Sequence, residues 1–422
     1  MRALTITRVF IAIFLLSPFA TGADIDHPPK GWRHERTITI SPEQCAQFSQ
    51  SLGGKIESAR NVFFAVGSER CQVNEIVCAT EDDAKLVEKK LIGFKGDPTT
   101  VLRDQRTVFE LVCQNALVGR IARYEFGFQP KKQRYEVRFD AVPLESCDYM
   151  RWNRLFNLFL RYDATPAGGR PAIEKEIEAF TKDSFEFGNT LEFRIHGQGD
   201  SEIEYSFEPE PKRVEREDAM GVIRYVFGDL PKKAGLPVVR VVAKLTSETY
   251  AESPAQKQNK KKRTKIRRTL QKGTERWPTD AKEVRDLAEK ITKEMKTDEQ
   301  KLAAILGWLS DKQNFRYAGN VTGSRYGVAK ALEQGYGHCW DYSDVFVTLA
   351  RANDIPTRQV LGWLHGVSGH VWSEVWIEGA GWRQVDPTSA LGCGSDYVPY
   401  LVTNDGEISL VYASDVKIEI LD

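Results

Sequence analysis

An excess of charge of either sign is missing from this chain. Its 59 Lys and Arg are balanced by 59 Asp and Glu, so the formal net charge at neutral pH is zero. No global field then draws the protein to nucleic acid or to a membrane surface, and no specific nucleic-acid partner is expected. Histidine is scarce: only His27, His34, His196, His338, His365 and His370 are available for acid–base work. The cysteines lack the paired C-x-x-C spacing of a zinc site, and Cys71 and Cys78, with strand-like neighbours, do not supply it. Neither metal nor cofactor is expected. The apolar run near the N-terminus, Val9 to Leu16, is too short to span a bilayer.

That run does fit an export signal. Arg2 and Arg8 precede its apolar stretch, and Ala20-Thr21-Gly22 offers small residues for cleavage. The expectation is a signal peptide over 1–22 and an exported protein, periplasmic or extracellular; an amphipathic first helix is the alternative. No cysteine follows the small residues, which argues against a lipid anchor. Export changes the reading of Cys45, Cys71, Cys78, Cys113, Cys147 and Cys393. At least one disulfide is expected among the five N-terminal ones, with buried thiols as the alternative.

The densest chemistry lies between Gly337 and Thr388: G-H-C-W-D-Y-S-D-V-F-V-T-L-A-R-A, then I-P-T-R, G-H-V-W-S-E-V-W and G-W-R-Q-V-D-P-T. Gly335 and Gly337 permit a tight turn before Cys339. Val345, Phe346, Leu349 and Ala350 then recur at helical spacing, with no Gly or Pro until Pro356. Cys339 is therefore expected at the N-terminus of a buried helix, where free N–H groups and the dipole favour a thiolate. That alone is a small effect, because a more acidic thiol is also a weaker nucleophile. Acceleration of roughly a hundredfold or more must come from each of a placed acid/base and an oxyanion hole.

His370 is the base candidate. It alternates with Trp372, Glu374 and Trp376 on one face of a predicted strand, and a second short strand, Trp382 to Asp386, follows a Gly/Ala turn. Asp386 could then hold the imidazole tautomer and stabilise its cation. Direct pairing of His370 with Asp386 needs a turn centred on Glu378, slightly before the Gly/Ala signal, so a bulge is a candidate correction. His365, outside the alternation, is the nearest rival. Each residue also has an ordinary reading: a buried or disulfide-bonded cysteine, a core histidine, a D-P-T turn. Cysteine, histidine and aspartate in this order, each in the expected local structure, favour catalysis.

These segments resemble the transglutaminase-like core. The match runs through Gly337, Cys339, Asp341, the helix to Arg351, Ile355-Pro356 with Arg358, Gly362, His370-Val371-Trp372, Glu374-Val375, and Trp382 with Val385-Asp386-Pro387-Thr388. It extends from Asp298 to Ser395, about a quarter of the chain. The resemblance implies Cys339 as nucleophile, His370 as general base and acid, Asp386 as orienting carboxylate, and a papain-like fold. Phe315 to Tyr317 resembles the family's aromatic segment before the cysteine helix, which makes Tyr317 an oxyanion candidate beside the Cys339 N–H. Trp340 and Trp372 are candidates for walls of the acyl-donor channel, with core positions as the alternative. Asp341 is expected to turn away from the thiol and cap the helix.

The whole chain reads as α+β, in two or three domains. An N-terminal α+β domain is expected over 35–165, a helix plus β-rich domain over 166–250, a basic linker over 251–279, and the transglutaminase-like catalytic domain over 280–422. Within the linker, the strip Lys260 to Arg268 (K-K-K-R-T-K-I-R-R) is a solvated connection or a dock for an anionic partner. Three functions follow: a peptidase or amidase that hydrolyses an acyl-thioester, a cross-linking transglutaminase whose acceptor is a lysine amine, or a non-catalytic binding module of the same fold.

Overall fold

The computed structural model describes residues 25–28, 32–66, 69–95, 100–113, 119, 122–123, 126–128, 132–182, 185–194, 203–217, 222–248, 266–318, 325–365, 368–378, 381–389 and 391–421. The expected signal peptide lies outside them, as does 251–265 of the basic linker. The chain divides into two compact units. The first comprises Met1–Lys131, Leu364–Ser368 and Gly394–Asp396, the second Lys132–Trp363, Gly369–Cys393 and Tyr397–Asp422.

The first unit is built on an antiparallel sheet. In chain order it contains β1 (Arg33–Thr39), α1 (Pro42–Leu52), β2 (Ile56–Val66), β3 (Glu69–Cys78), α2 (Glu81–Lys95), β4 (Val101–Asp104) and β5 (Thr107–Cys113). The strands lie in the order β1-β2-β3-β5-β4. Helix α1 starts where the sequence signals it: Ser41 and Gln44 form a capping box, and Pro42 takes the first turn, where its missing N–H costs nothing. It stops at Gly53, whose φ of 81° suits the left-handed cap. Cys45 of α1 and Ala84, Val87 and Leu91 of α2 pack on Ile56, Ile76, Cys78 and Val108 of the sheet.

The second unit opens with β6 (Lys132–Cys147), α3 (Tyr149–Ala164), α4 (Arg170–Thr181), β7 (Thr190–Arg194), β8 (Glu204–Glu208), β9 (Arg213–Glu217), β10 (Val222–Val226), β11 (Lys232–Lys233), β12 (Leu236–Pro237) and β13 (Val239–Glu248). It continues with α5 (Lys282–Thr292), α6 (Asp298–Ser310), β14 (Arg316–Tyr317), α7 (Val328–Gln334), β15 (Tyr336–Gly337), α8 (Cys339–Ala352), β16 (Thr357–Leu364), β17 (Ser368–Ile377), β18 (Gly381–Asp386), β19 (Leu391–Gly392), β20 (Tyr397–Thr403), β21 (Ile408–Tyr412) and β22 (Lys417–Leu421). One sheet runs β21-β6-β13-β8, with β22 also on β6; another runs β19-β18-β17-β16-β20. The helices α5, α6 and α8 share a core with Val375 and Val385 of the second sheet.

The architecture is α+β, with the helix-and-sheet core near the C-terminus. Two boundaries differ from the sequence reading. The segment expected to close the N-terminal domain at 165 belongs to the second unit, because β6 pairs with β13 over ten residues and with both C-terminal strands. Residues 408–421, read as part of the catalytic domain, complete that same sheet. Such pairings between distant strands leave no local signal. The described end of the basic linker is also not a solvated connection: Ile266, Leu270 and Trp277 have no exposed surface. Ile266 and Leu270 pack against Trp376 and Trp382.

Candidate active site

Cys339 begins α8, as its sequence context implies. Gly335, at φ 67°, ends α7 in the left-handed conformation. β14 and β15 then pair in parallel, placing Tyr317 beside Gly337. A side chain at Gly337 would overlap Asp341, so only glycine admits this approach. His338 is the helix cap: its Nδ1 accepts from the Trp340 N–H at 3.2 Å, while the His338 N–H donates to Asp341 Oδ2 at 3.1 Å. Asp341 Oδ1 accepts from the Tyr326 N–H at 2.7 Å. Asp341 thus acts as the reciprocal half of the cap. Burial pushes its carboxyl up to about 6, against the pull of these two N–H donors. Burial also lowers His338 to about 4, so the ring is neutral and can accept the Trp340 N–H. Cys339 is the first helical residue, so its own N–H has no acceptor within the helix.

His370 and Asp386 are held by the β17–β18 hairpin. Ile377 faces Gly381 and Glu374 faces Gln384, so the register is one residue beyond the one that direct pairing of His370 with Asp386 needs. Continued one step past Ser373 and Val385, this register puts Asp386 opposite Trp372, two residues from His370 on the same face. The pair therefore meets diagonally, without a bulge. His370 Nε2–H donates to Asp386 Oδ2 at 3.0 Å. Two further donors fix the carboxylate: the Tyr397 hydroxyl to Oδ2 at 2.7 Å and the Thr388 N–H to Oδ1 at 2.9 Å. Cys339 is near enough to His370 for its side chain to favour the imidazole's cation. With Nε2 committed to Asp386, Nδ1 is the ring atom left for the thiol.

The electrostatics follow from this geometry. Burial of His370 opposes its cation, but Asp386, and then Cys339, outweigh that effect and raise its pKa to about 9. At neutral pH the imidazole is therefore protonated between a carboxylate and the sulfur, and the helix N-terminus adds a partial positive charge at the same place. This arrangement can deliver a thiolate to an electrophilic carbon and a proton to a departing amine. Among the described residues, no group of three or more His, Cys, Asp or Glu side chains is placed to hold a metal ion. No helix among them is long and apolar enough to cross a membrane.

The remaining sequence candidates fall in different places. Trp372 is completely buried, with its indole N–H on Gln384 Oε1 at 3.0 Å. Its ring occupies the space left by the absent side chain of Gly362, so it belongs to the core and cannot wall a channel. Trp340 is 6% exposed and lies between the Tyr149 ring, at 5.1 Å, and the Arg325 guanidinium, at 4.7 Å. Tyr317 is 55% exposed, with its ring 6.1 Å from that of Tyr342. His365 follows the end of β16, and its N–H donates to the Asp396 carbonyl. Of the basic strip, 260–265 lies outside the described residues, Ile266 is buried, and Arg267 faces Asp298 and Glu378.

Sequence reasoning missed several residues that build the site. Tyr397 supplies the third bond to Asp386, and no local pattern announces it. Tyr149, at the start of α3, meets the rings of His338 and Trp340 and stacks on Trp152. Asp344, on α8, accepts from the Arg325 guanidinium at 2.6 Å, from the Trp277 indole at 2.9 Å and from the Gln359 amide at 3.0 Å. Its only sequence signal was a charge on a helix whose other face was already apolar. All seven cysteines are thiols in the structure, so the expected N-terminal disulfide is not formed in it.

A family model covers this location. Residues 285–387 match the family described as the transglutaminase-like superfamily. Similar solved structures include a protein from Cytophaga hutchinsonii provisionally designated a cysteine protease. It is 13% identical, with 70% of this chain and 92% of that chain covered and a TM-score of 0.39. The periplasmic domain of TgpA from Pseudomonas aeruginosa is 14% identical over 61% of this chain and 88% of that one, with a TM-score of 0.28. A comparison with curated proteins found no match. The chain carries a transglutaminase-like superfamily domain at residues 285–387, and Cys339, His370 and Asp386 all lie inside it.

Proposed function

We propose that this protein is an exported thiol hydrolase that cleaves an amide bond in a peptide or protein. The observation that carries the reading is the continuous chain from the α8 N-terminus through Cys339 and His370 to Asp386, closed by the 3.0 Å bond. In the first half-reaction the Cys339 thiolate attacks the amide carbon, and the carbonyl oxygen gains the negative charge. The Cys339 N–H is the main-chain donor at hand for that oxygen. The His370 cation then gives its proton to the nitrogen, the C–N bond breaks, and ammonia or an amine leaves an acyl-thioester. In the second half-reaction neutral His370 takes a proton from water, the hydroxide adds to the thioester carbon, and the acid and thiol are released.

Asp386 keeps His370 in the required tautomer throughout. Tyr397 and Thr388 hold Asp386 in turn. Tyr317 remains a candidate for a second oxyanion donor, and Trp340 for a wall beside the nucleophile. Water is present without recruitment, whereas an amine acceptor needs its own site, and this favours hydrolysis over transfer to a lysine.

The test is stoichiometric iodoacetamide labelling of the non-reduced protein between pH 5 and 9, with peptide mapping and a His370→Ala control. Rapid labelling of Cys339 well below the ordinary thiol range, lost in His370→Ala, is the expected result. A Cys339 that stays inert, or that is found in a disulfide with Cys393, sinks the enzymatic reading in favour of a binding module. Ammonia release from a glutamine peptide, with and without added amine, then separates the two acceptors.

A further inference from the structure

We infer that Cys71 and Cys113 are a disulfide site that staples β3 to β5 when the protein meets an oxidising thiol–disulfide couple. The inference concerns the first unit and does not rest on the catalytic reading. The two residues are direct partners in the antiparallel ladder of β3 and β5. Directly opposed residues of such a ladder have Cα atoms about 4.5–5.5 Å apart, inside the range of roughly 4.4–6.8 Å that a disulfide spans. The neighbouring Cys113 side chain acts on the Cys71 thiol more strongly than burial does. The pair sits at the last residue of β5, where the ladder ends and the backbone can adjust.

Strand parity selects this pair. Cys71 and Cys78 are an odd number of residues apart on β3, so they point to opposite faces of the sheet. Cys78 lies on the helix-covered face, in the core that also holds Cys45. Cys71 lies on the other face, between Phe64 of β2 and Cys113 of β5. No other cysteine of the unit shares that face.

Access orders the chemistry. Cys71 is buried and Cys113 is half-buried. The Cys113 side chain, and then burial, hold Cys71 as a neutral thiol. Cys113 is therefore the residue that meets the oxidant, such as oxidised glutathione. Its thiolate forms a mixed disulfide and expels one glutathione thiolate. Cys71 then attacks the Cys113 sulfur and expels the second. Two electrons pass to the oxidant, and the two thiol protons end on the two released glutathione molecules.

The full chain is equilibrated in glutathione buffers from fully reduced to fully oxidised, quenched with N-ethylmaleimide in denaturant, and mapped by mass spectrometry. The expected result is a crosslinked Cys71–Cys113 peptide pair that grows with the oxidised fraction, while Cys45 and Cys78 remain alkylated. Closing this loop in the unfolded chain should raise the melting temperature of the first unit by on the order of 10 °C. Cys113→Ser should remove both the crosslink and the redox dependence of melting. Full alkylation of Cys71 and Cys113 at the most oxidising ratio overturns the assignment. So does a crosslink of either residue to another cysteine, or redox-dependent melting that persists in Cys113→Ser.

Discussion

Among the described residues, the Arg–carboxylate pairs with the least exposed side chains lie in the second unit, which carries exposed pairs as well. In the second, Arg325–Asp344 and Arg358–Glu374 have side chains no more than 3% exposed. In the first, Arg60 pairs with Asp26 and Glu75, Arg106 with Glu57 and Lys85 with Asp82, on side chains between 20% and 89% exposed. Among the described pairs of that unit, only the long Arg123–Asp396 contact, at 3.9 Å, is largely buried. Exposed pairs contribute about 0–1 kcal/mol each. Buried pairs contribute little net stability compared with apolar residues of the same shape, but losing one partner leaves an uncompensated charge. Their value here is positional. Arg325–Asp344 anchors α8, which carries Cys339, and Arg358–Glu374 ties β16 to β17, which carries His370. The second unit uses buried ion pairs to hold the candidate reacting groups in place, whereas the helix-covered face of the first unit's sheet is closed by apolar packing.

This contrast can be broken or sharpened by experiment. The largest effect is expected for Cys339→Ala, which should reduce amide hydrolysis by roughly a thousandfold or more while leaving the fold intact. Turnover of a peptide amide, beside a circular-dichroism melt, measures both sides of that statement. Next comes Asp344→Ala, which strands the buried Arg325 cation and should destabilise the second unit by about 3–5 kcal/mol. Urea unfolding followed by tryptophan fluorescence reports on that unit, because Trp32 is the only tryptophan of Met1–Lys131.

The third effect is a pH dependence. Folding raises His370 from an ordinary histidine value near 6.5 to about 9, so the folded state binds the proton more tightly than the unfolded chain. The stabilisation is complete below about 6.5 and is lost as the pH rises through about 9, amounting to on the order of 3 kcal/mol. Denaturant midpoints taken from pH 6 to 10 should fall over that window. Asp386→Asn, which removes the strongest support for the cation, should flatten the fall. Amide cleavage should decline in the same window as the proton donor is lost.

Smaller still, Tyr397→Phe removes one donor to the Asp386 carboxylate, a loss of about 1.5 kcal/mol or roughly tenfold in kcat/KM. An unchanged rate would make Tyr397 a packing residue only. Smallest is Arg60→Ala in the first unit, expected to cost less than about 1 kcal/mol in urea unfolding followed by far-UV circular dichroism, which also reports on that unit's sheet. A cost equal to that of Asp344→Ala would erase the contrast between the two units.

Much of the candidate site was legible because its parts are local. The glycine turn, the helix after Cys339, and the two strands carrying His370 and Asp386 all fall within about fifty residues. Each has its own periodicity or breaker. The register between the strands was nearly legible: the turn signal was right, and the demand for direct pairing was not, because diagonal neighbours also meet across a ladder. The channel role of Trp372 failed for a different reason. An aromatic on the same strand face as His370 looks exposed in a linear pattern, but Gly362 leaves a hole that encloses it.

The amino-acid sequence by itself determined the α+β class, the helix that presents Cys339, the hairpin that brings His370 toward Asp386, and the caps that start and stop the helices. These depend on residues a few positions apart and on backbone chemistry that any such stretch obeys. Tertiary structure decided the rest. It alone joined 132–147 to the last strands of the chain, brought Tyr397 to Asp386 and Tyr149 to His338, enclosed Asp344 with its three partners, and set Cys71 opposite Cys113. Those contacts bring together residues separated by between eleven and almost three hundred positions, and burial and sheet register choose among many such encounters only once the whole core has formed.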